Sequence, residues 1–383
     1  MMRKNILIVG SGFTGAVLAR TLAESGYHVT IFEQRDHVAG NCYTEIDRDT
    51  GIMVHVHGPH IFHTDDEEVW SYVNKFSDFS SYICQVKATT CGRVFSLPIN
   101  LLTINQFFNK TFSPNEARQF INSISEPIEN VKSFKDQALR HLGSELYEAF
   151  FRGYPIKQWG LDPSVLPASI LQRLPIRFNY NDNYFNHKNQ GIPKEGYTVL
   201  VERILKHENI DLHLNRPFTK QDSVDFSHVF YTGPLDAWFD HKAGRLGYRT
   251  LRFEMSRHQG DYQGCAVMSY PEENVPYTRI TEHKHFAPWE TFDRTVISHE
   301  YSGYCGPNDI PYYPIRLVKE KDILSDYIDL TKLEKNVSFM GRLATYRYLD
   351  MDVTIGEALR AAREFISLDK DNREIPLFFS TPL

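Results

Sequence analysis

The chain of 383 residues is poor in cysteine and carries no excess of positive charge. Its five cysteines are an odd number without C-x-x-C spacing, which is not the pattern of a disulfide framework and suits a reducing compartment. The formal net charge is −6, so no general basic field would recruit nucleic acid or an anionic membrane. Any anionic ligand must therefore be held by a few local arginines.

Long hydrophobic runs are also missing, and no apolar stretch approaches the length of a membrane span. Arg3 and Lys4 precede an apolar run, as in an export signal, but three glycines and Thr14 interrupt that run. The sequence contains neither internal repeats nor low-complexity segments. We therefore expect a cytoplasmic protein that does not insert into membranes.

The most informative segment is residues 6–15, an apolar run that ends in Gly10, Gly12 and Gly15 and continues as an apolar helical pattern. In a G-x-G-x-x-G turn the glycines permit the tight turn, the approach of a pyrophosphate and close helix packing, respectively. Glu33 ends the next predicted strand, near the spacing at which an acidic residue binds a ribose hydroxyl. The pattern predicts a Rossmann-type unit that binds a dinucleotide; an ordinary strand–turn–helix is the alternative.

Residues 341–352 form a second informative segment near the end of the chain. A strand that runs into Gly341 and then into a helix N-terminus offers free backbone N–H groups to a phosphate or an electron-rich ring. Such a segment, far from the first motif, would complete an FAD site. It therefore favours FAD over a nicotinamide dinucleotide as the cofactor. The alternative is again an ordinary strand–loop–helix.

These patterns predict an α/β protein in which a Rossmann-type FAD-binding domain contains an inserted helical domain and an antiparallel β-sheet domain. Capping serines at 113 and 133 mark helices, a further helix is expected to end at Gly153, and alternating runs such as 249–254 mark strands. The predicted boundaries are 1–77, 194–244 and 318–383 for the FAD-binding domain, 78–147 for the helical domain, and 148–193 (with a mobile lid) and 245–317 for the sheet domain.

Four histidines at 55, 57, 60 and 63 suggest either a metal site or contacts to a flavin. Gly58-Pro59 separates the two pairs, and no cysteine or carboxylate lies among them, so we expect no metal there. The run from His283 to His285 is expected to be solvated or to lie at a sheet edge.

Arg173 and Arg279 lie in apolar neighbourhoods, where a guanidinium needs an anionic partner. A diphosphate would fit, and an internal carboxylate is the alternative. Tyrosines cluster in the same half of the chain, where their rings could stack on a base or sugar or simply pack in the core.

Seven segments together resemble the bacterial UDP-galactopyranose mutases, and the resemblance covers nearly the whole chain. They are His-Gly-Pro-His-Ile-Phe-His-Thr at 57–64, Gly-Tyr-Pro-Ile-Lys-Gln-Trp-Gly at 153–160, and the segments 173–178, 182–186, 190–193, 276–284 and 341–351. Other FAD oxidases and dehydrogenases share only the two cofactor segments.

The resemblance implies interconversion of UDP-galactopyranose and UDP-galactofuranose with FAD in its reduced state and no net redox change. N5 of the reduced flavin would attack the anomeric carbon while UDP departs, and the sugar–flavin adduct would open through an iminium and reclose as a furanose. It also implies a homodimer that supplies galactofuranose for surface polysaccharide.

Site residues follow from the same resemblance. Arg173 and Arg279 would grip the diphosphate and His63 would lie near flavin N5. Further substrate contacts would be Phe151, Tyr154, Trp159 on the lid, Tyr184, Phe185, Tyr313 and Tyr348. Cofactor contacts would be Gly10, Gly12, Phe13, Thr14, Gly15, Glu33, Gln34, Gly40, Asn41, His60, His63, Arg342, Asp350 and Met351.

The chain departs from the family pattern at Ala39, where many members have glycine, at Pro155 in place of threonine, and at Ser269 in place of a frequent asparagine. The last two substitutions shorten or remove contacts expected at the nucleotide. Two other functions are considered: an FAD-dependent oxidase or monooxygenase of a small molecule, and a binding protein without catalysis.

Overall fold

The computed structural model describes residues 4–168, 176–315 and 317–382. The strands are β1 (Asn5–Val9), β2 (His28–Phe32), β3 (Thr44–Ile46), β4 (Met53–His55), β5 (Phe62–Thr64), β6 (Phe79–Ser81), β7 (Val86–Thr90), β8 (Arg93–Leu97), β9 (Asn189–Pro193), β10 (Ile210–His213), β11 (His228–Tyr231), β12 (Tyr248–Gln259), β13 (Val267–Ser269), β14 (Arg279–Glu282), β15 (Arg294–Tyr304), β16 (Tyr313–Pro314) and β17 (Val337–Phe339). The helices are α1 (Phe13–Glu24), α2 (Glu67–Asn74), α3 (Leu101–Phe108), α4 (Pro114–Ile124), α5 (Phe134–Leu146), α6 (Gly153–Trp159), α7 (Gly196–Leu205), α8 (Leu235–Trp238), α9 (Val318–Thr331), α10 (Gly341–Ala344) and α11 (Met351–Lys370).

A five-stranded parallel sheet in the order β10-β2-β1-β11-β17 forms the first layer. Ile8 at the centre pairs with Ile31 on one side and Phe230 on the other. This sheet, with α1 joining β1 to β2, confirms the predicted Rossmann-type unit, and its strands come from three separate parts of the chain.

Both faces of the parallel sheet are covered by other elements. Successive side chains of β1 point to opposite faces, so both sets are buried. Ile6 and Ile8 pack in a buried cluster with residues of α1, α7 and α11, whereas Leu7 packs with Tyr327 and Phe339 on the other face. This explains why β1 is continuously apolar from Ile6 to Val9 rather than alternating.

A second sheet of seven strands runs in the order β16-β12-β15-β14-β13-β7-β8. Its neighbours are antiparallel except β13 and β7, which are parallel. The predicted antiparallel sheet is confirmed, and α3, α4 and α5 pack beside β8 around a separate buried cluster. Smaller sheets pair β3 with β4 and place β9 between β5 and β6.

The stretch 78–147 is not purely helical as predicted, since it begins with β6, β7 and β8. Residues of β7 alternate between buried and partly exposed, and Cys91 and Gly92 have φ of 52° and 66°, as in a two-residue hairpin turn. The helix expected to end at Gly153 is present, because helical backbone continues past α5 as a π-helix over Tyr147–Phe151, and a further helix that was not expected, α6, begins at Gly153. Proline fits the first turn of a helix, so Pro155 does not stop it. The domain boundaries themselves stay a prediction.

Candidate active site

One cavity of about 1460 Å³ lies where the carboxyl ends of the parallel strands meet the second sheet. Of the predicted site residues in the described ranges, all but Gly15 line it. Arg173 lies outside the described residues. Ligands of open parallel sheets bind at this edge, so the arrangement fits a site, although each residue's role stays a prediction.

The three glycines of the first motif have different surroundings. A Cβ on Gly10 would lie 2.3 Å from Thr232 Oγ1, and one on Gly15 would lie 2.0 Å from the carbonyl oxygen of Gly10. A Cβ on Gly12 would meet no atom within 4 Å. Gly10 and Gly15 therefore serve close packing, whereas the backbone at Gly12 is open to the cavity.

Two helix N-termini face this cavity. Gly12 is the N-cap of α1, and Asp350, the N-cap of α11, makes no side-chain capping bond. Gly341 has a φ of +80°, and a Cβ there would lie 2.7 Å from Thr14 Oγ1, so the C-terminal segment packs directly on α1. Uncapped N–H groups of two helices thus converge on one space, which suits phosphate groups.

Glu33 is fixed at the end of β2. Its Oε2 accepts hydrogen bonds from the backbone N–H and the hydroxyl of Ser11, each at 2.9 Å, and its Oε1 accepts from the N–H of Arg35 at 2.9 Å. A carboxylate oxygen can accept more than one hydrogen bond, so this oriented group retains capacity for a ribose hydroxyl.

Buried donors without partners provide a test of the cofactor. Nε and Nη2 of Arg342 and Nη1 of Arg35 are buried and have no hydrogen-bond partner. The Arg342 guanidinium lies over the rings of Tyr313 and Tyr348, at 4.9 and 4.8 Å from their centroids. Such donors call for an acceptor, and the phosphates or ring carbonyls of FAD fit this requirement.

The histidines are held separately. His60 Nδ1 contacts the carbonyl oxygen of Gly58 at 2.8 Å, His57 Nδ1 contacts the Tyr312 hydroxyl at 2.9 Å, and Phe185 stacks on His63 with centroids 3.7 Å apart. Burial lowers the pKa of His57 to about 3 and that of His60 to about 4, and it also lowers the pKa of His63. These imidazoles are neutral at pH 7.

Among the described residues, the four histidines do not form a cluster with metal-ligand spacing; one cluster that does comprises Asp261, Glu282 and His285. Lys284 Nζ lies 2.6 Å from Asp261 Oδ1, so an ammonium group already pairs with one carboxylate of this cluster. The expectation for 283–285 was wrong for His283, which is buried and contacts Ser298 Oγ at 3.1 Å, because it begins a 3₁₀ turn that packs inward after β14.

Arg279 points into the cavity from β14 with its charge already paired. Its Nη2 and Nε lie 2.6 and 2.7 Å from Oε2 of Glu300, the residue paired with it on the neighbouring strand β15. Thr278 Oγ1 donates to the other carboxylate oxygen at 3.0 Å. Burial acts to lower the pKa of Arg279, but Glu300 outweighs it and holds this pKa above its usual range. Nη1 of Arg279 takes no part in the pair with Glu300.

Aromatic rings form the rest of this wall. Trp159 lies 6.4 Å from Tyr313 between centroids, and Tyr313 stacks on Tyr348 at 5.5 Å and 17°. Burial raises the pKa of Tyr313, so its hydroxyl is available as a donor. The three departures from the family pattern, at Ala39, Pro155 and Ser269, also line the cavity.

Sequence reasoning missed Arg35 and Glu300. Arg35 follows Glu33, the acid predicted to bind a ribose, by two positions, and its Nη2 donates to Asn41 Oδ1 at 2.9 Å, so proximity to the motif could have found it. Glu300 is a buried carboxylate within an otherwise ordinary strand, and only the sheet register reveals its partner.

Within the described ranges, no helix combines the length and apolar character that a membrane span requires.

Comparisons with known proteins bear on the family of this chain. A family model described as UDP-galactopyranose mutase matches residues 149–348, and one described as NAD(P)-binding Rossmann-like domain matches residues 8–76. A Klebsiella pneumoniae protein named as a probable UDP-galactopyranose mutase is 60% identical over 99% of both chains. An Escherichia coli protein named dTDP-fucopyranose mutase is 51% identical over 96% of this chain and 99% of its own.

A crystal structure of reduced UDP-galactopyranose mutase has a TM-score of 0.71 at 15% identity and covers 98% of this chain and 100% of its own, which shows the shared fold. The matched family model and the identity over the whole chain show more than the fold: this protein belongs to the UDP-galactopyranose mutase family.

Proposed function

We propose that the protein interconverts UDP-galactopyranose and UDP-galactofuranose with FAD as a cofactor that must be reduced. The observation that carries this proposal is a single cavity that joins a dinucleotide cradle to an oriented arginine and an aromatic wall. The cradle fits FAD, while Arg279 with Tyr313 and Tyr348 fits the diphosphate of a nucleotide sugar. The family relationship supports the same assignment.

In this proposal the chain's own residues bind and orient the reactants. Glu33 holds the adenosine ribose, and the N-termini of α1 and α11 with Arg342 hold the remainder of FAD. Arg279, together with Arg173, grips the diphosphate, balances the charge that develops as UDP leaves, and keeps UDP in place for its return. Reduced FAD, when bound, supplies a nucleophilic nitrogen, N5, for covalent catalysis at the anomeric carbon.

Trp159 at the end of α6 is proposed as part of a mobile lid over the sugar. Phe151 and Tyr154 would pack against uracil, and Tyr184 with Phe185 would line its path. Closure of the lid would exclude water from a reactive sugar. We further propose a cytoplasmic homodimer whose product supplies galactofuranose for surface polysaccharide.

The decisive experiment is anaerobic incubation of the purified protein with UDP-galactofuranose, with and without dithionite, followed by chromatography of the nucleotide sugars. Conversion to UDP-galactopyranose by the reduced protein alone is the expected result. Because one relative is named dTDP-fucopyranose mutase, dTDP-fucopyranose should be assayed in parallel. No conversion of UDP-galactofuranose by the protein with FAD bound and reduced would refute the proposal, whether or not dTDP-fucopyranose is converted.

An FAD-dependent oxidase or monooxygenase remains the second candidate, since the cofactor half of the cavity would serve it equally. It does not explain a buried Arg279–Glu300 pair among aromatic rings. Oxygen consumption with an amine or small aromatic substrate would favour it, and tight UDP binding without turnover would favour a non-catalytic binding protein.

A further inference from the structure

His63 has a partner that the predicted site did not include. Its Nδ1 lies 2.8 Å from Nδ1 of His187, the rings are 5° from parallel with centroids 4.8 Å apart, and both rings line the large cavity. His63 is buried, whereas His187 is half-buried.

The segment that carries His187 is fastened to the strand that carries His63. Gln190 pairs with His63 in the register of β9 and β5, and its side-chain amide donates to the carbonyl oxygen of His187 at 2.8 Å. The N–H of Lys188 donates to Asp65 at 2.7 Å. The scaffold therefore holds the two imidazoles against each other.

A hydrogen bond between two Nδ1 atoms requires that one imidazole donates and the other accepts. The two neutral rings must therefore be opposite tautomers, and a proton on both Nδ1 atoms would break the contact. The tautomer of His63 then decides whether its Nε2 donates or accepts.

We propose that His187 is a positioning residue that sets the tautomer of His63 and connects this buried ring to solvent. The inference rests on the proposed function, in which His63 faces the flavin. Other charged groups act on His63 as well: Asp65 after β5, and Asp350 and Asp352 at the start of α11 favour its protonated form, against burial, which disfavours it.

Two variants separate the hydrogen bond from the ring. His187→Asn places an amide where Nδ1 stood, so it keeps a hydrogen bond to His63 without the second ring. His187→Phe keeps a ring and removes the bond. The first readout is the ¹⁵N spectrum of the histidines in the holoenzyme with oxidised FAD, and the second is the pH profile of kcat with the reduced enzyme and UDP-galactopyranose.

We expect opposite tautomers for the two rings in the unmodified protein, one tautomer for His63 in His187→Asn, and a mixture in His187→Phe. In His187→Phe, kcat should fall about tenfold with little change in KM. In His187→Asn, kcat should be largely kept, and only His187→Phe should shift the pH profile of kcat, because His63 there loses its hydrogen-bond partner. A merely structural role for His187 would not move that profile.

Equal tautomers in the unmodified protein would overturn the inference, as would an unchanged His63 spectrum and pH profile in both variants. Lack of turnover by the unmodified reduced holoenzyme would instead refute the proposed function, and the ¹⁵N spectra would still decide whether the pair exists.

Discussion

Single residues decide the charge balance of the site, and Arg279 is the sharpest case. Its partner Glu300 has a side chain only 2% exposed, so removing the guanidinium leaves a buried carboxylate unpaired. We expect Arg279→Ala to abolish nearly all turnover with FAD still bound, and to lower the free energy of unfolding by about 3–5 kcal/mol. Turnover of the reduced enzyme, the flavin spectrum and urea unfolding measure the three quantities.

A double variant separates stability from catalysis at this position. Arg279→Met with Glu300→Leu replaces the ion pair by apolar groups and should recover most of the stability while turnover stays lost. Normal turnover in the double variant would remove Arg279 from the diphosphate site.

Gly12 and Gly15 permit a second test at this scale. Gly12→Ala adds a methyl group where no atom lies within 4 Å, at an ordinary φ of −69°, so the unfolding midpoint of the cofactor-free protein should not change. FAD affinity should fall about tenfold or more, because the methyl group enters the space that a pyrophosphate needs. Fluorescence titration with FAD and thermal unfolding measure the two effects.

Gly15→Ala is the matched control. Its methyl group would lie 2.0 Å from the carbonyl oxygen of Gly10, so this variant should lose folding stability as well. Normal FAD binding by Gly12→Ala would show that the pyrophosphate does not lie against the backbone at Gly12.

Among the elements, α6 is tied through its own Lys157 side chain to the segment that precedes β14. Lys157 Nζ lies within hydrogen-bond distance of the carbonyl oxygens of Tyr270, Glu272, Val275 and Tyr277, the last three at 2.8, 3.0 and 3.0 Å, and its three N–H groups are shared among these four acceptors. These carbonyls belong to the segment that leads into β14 and Arg279. Lys157 thus ties the helix of the proposed lid to the strand of the proposed diphosphate site.

We expect Lys157→Met to raise KM for UDP-galactopyranose about tenfold, because four carbonyls lose their donor and α6 loses its fixed position. FAD affinity should not change. Arg152→Met is the control, since Arg152 lies just before α6 and is half exposed, and KM there should stay within about twofold. Equal effects in steady-state kinetics of both variants would contradict a specific role for Lys157.

Elements with local signals were predicted well. The capping boxes at Ser113 and Ser133 begin α4 and α5 as expected, because capping involves residues only three positions apart. The failure at β7 and β8 has a tertiary cause, since β7 pairs with β8 across the turn at Cys91-Gly92 and with β13, which is distant in the sequence.

The whole molecule should be sensitive to acid, because many histidines are buried in neutral form. Burial lowers the pKa of His57 and His283 to about 3 and that of His60 and His228 to about 4. The unfolded chain, with pKa values near 6.5, binds protons that the folded protein does not. Stability is thus complete above about pH 6.5 and is lost as pH falls towards about 4.

His228→Gln tests this linkage outside the active site. The amide can replace the contact of Nε2 with Ser338 Oγ at 3.0 Å but does not titrate. Between about pH 6 and 4.5 the free energy of unfolding should fall less steeply with pH in this variant than in the unmodified protein. The two slopes should differ by about 1.4 kcal/mol per pH unit. Denaturant unfolding at several pH values measures the slope, and an unchanged slope would show that His228 is protonated in the folded state.

The sequence by itself determined the dinucleotide cradle and the family, since the glycine turn and the long matching segments are contiguous in the chain. For the part of the cavity beyond the glycine turn, the sequence indicated which residues take part but not which partners they contact. The tertiary structure decided that Arg279 meets Glu300, that Lys157 meets the carbonyls of 270–277, and that His63 meets His187. The paired residues lie 21, 113–120 and 124 positions apart. No local spacing reports such contacts, because strand register and helix packing alone bring these groups together.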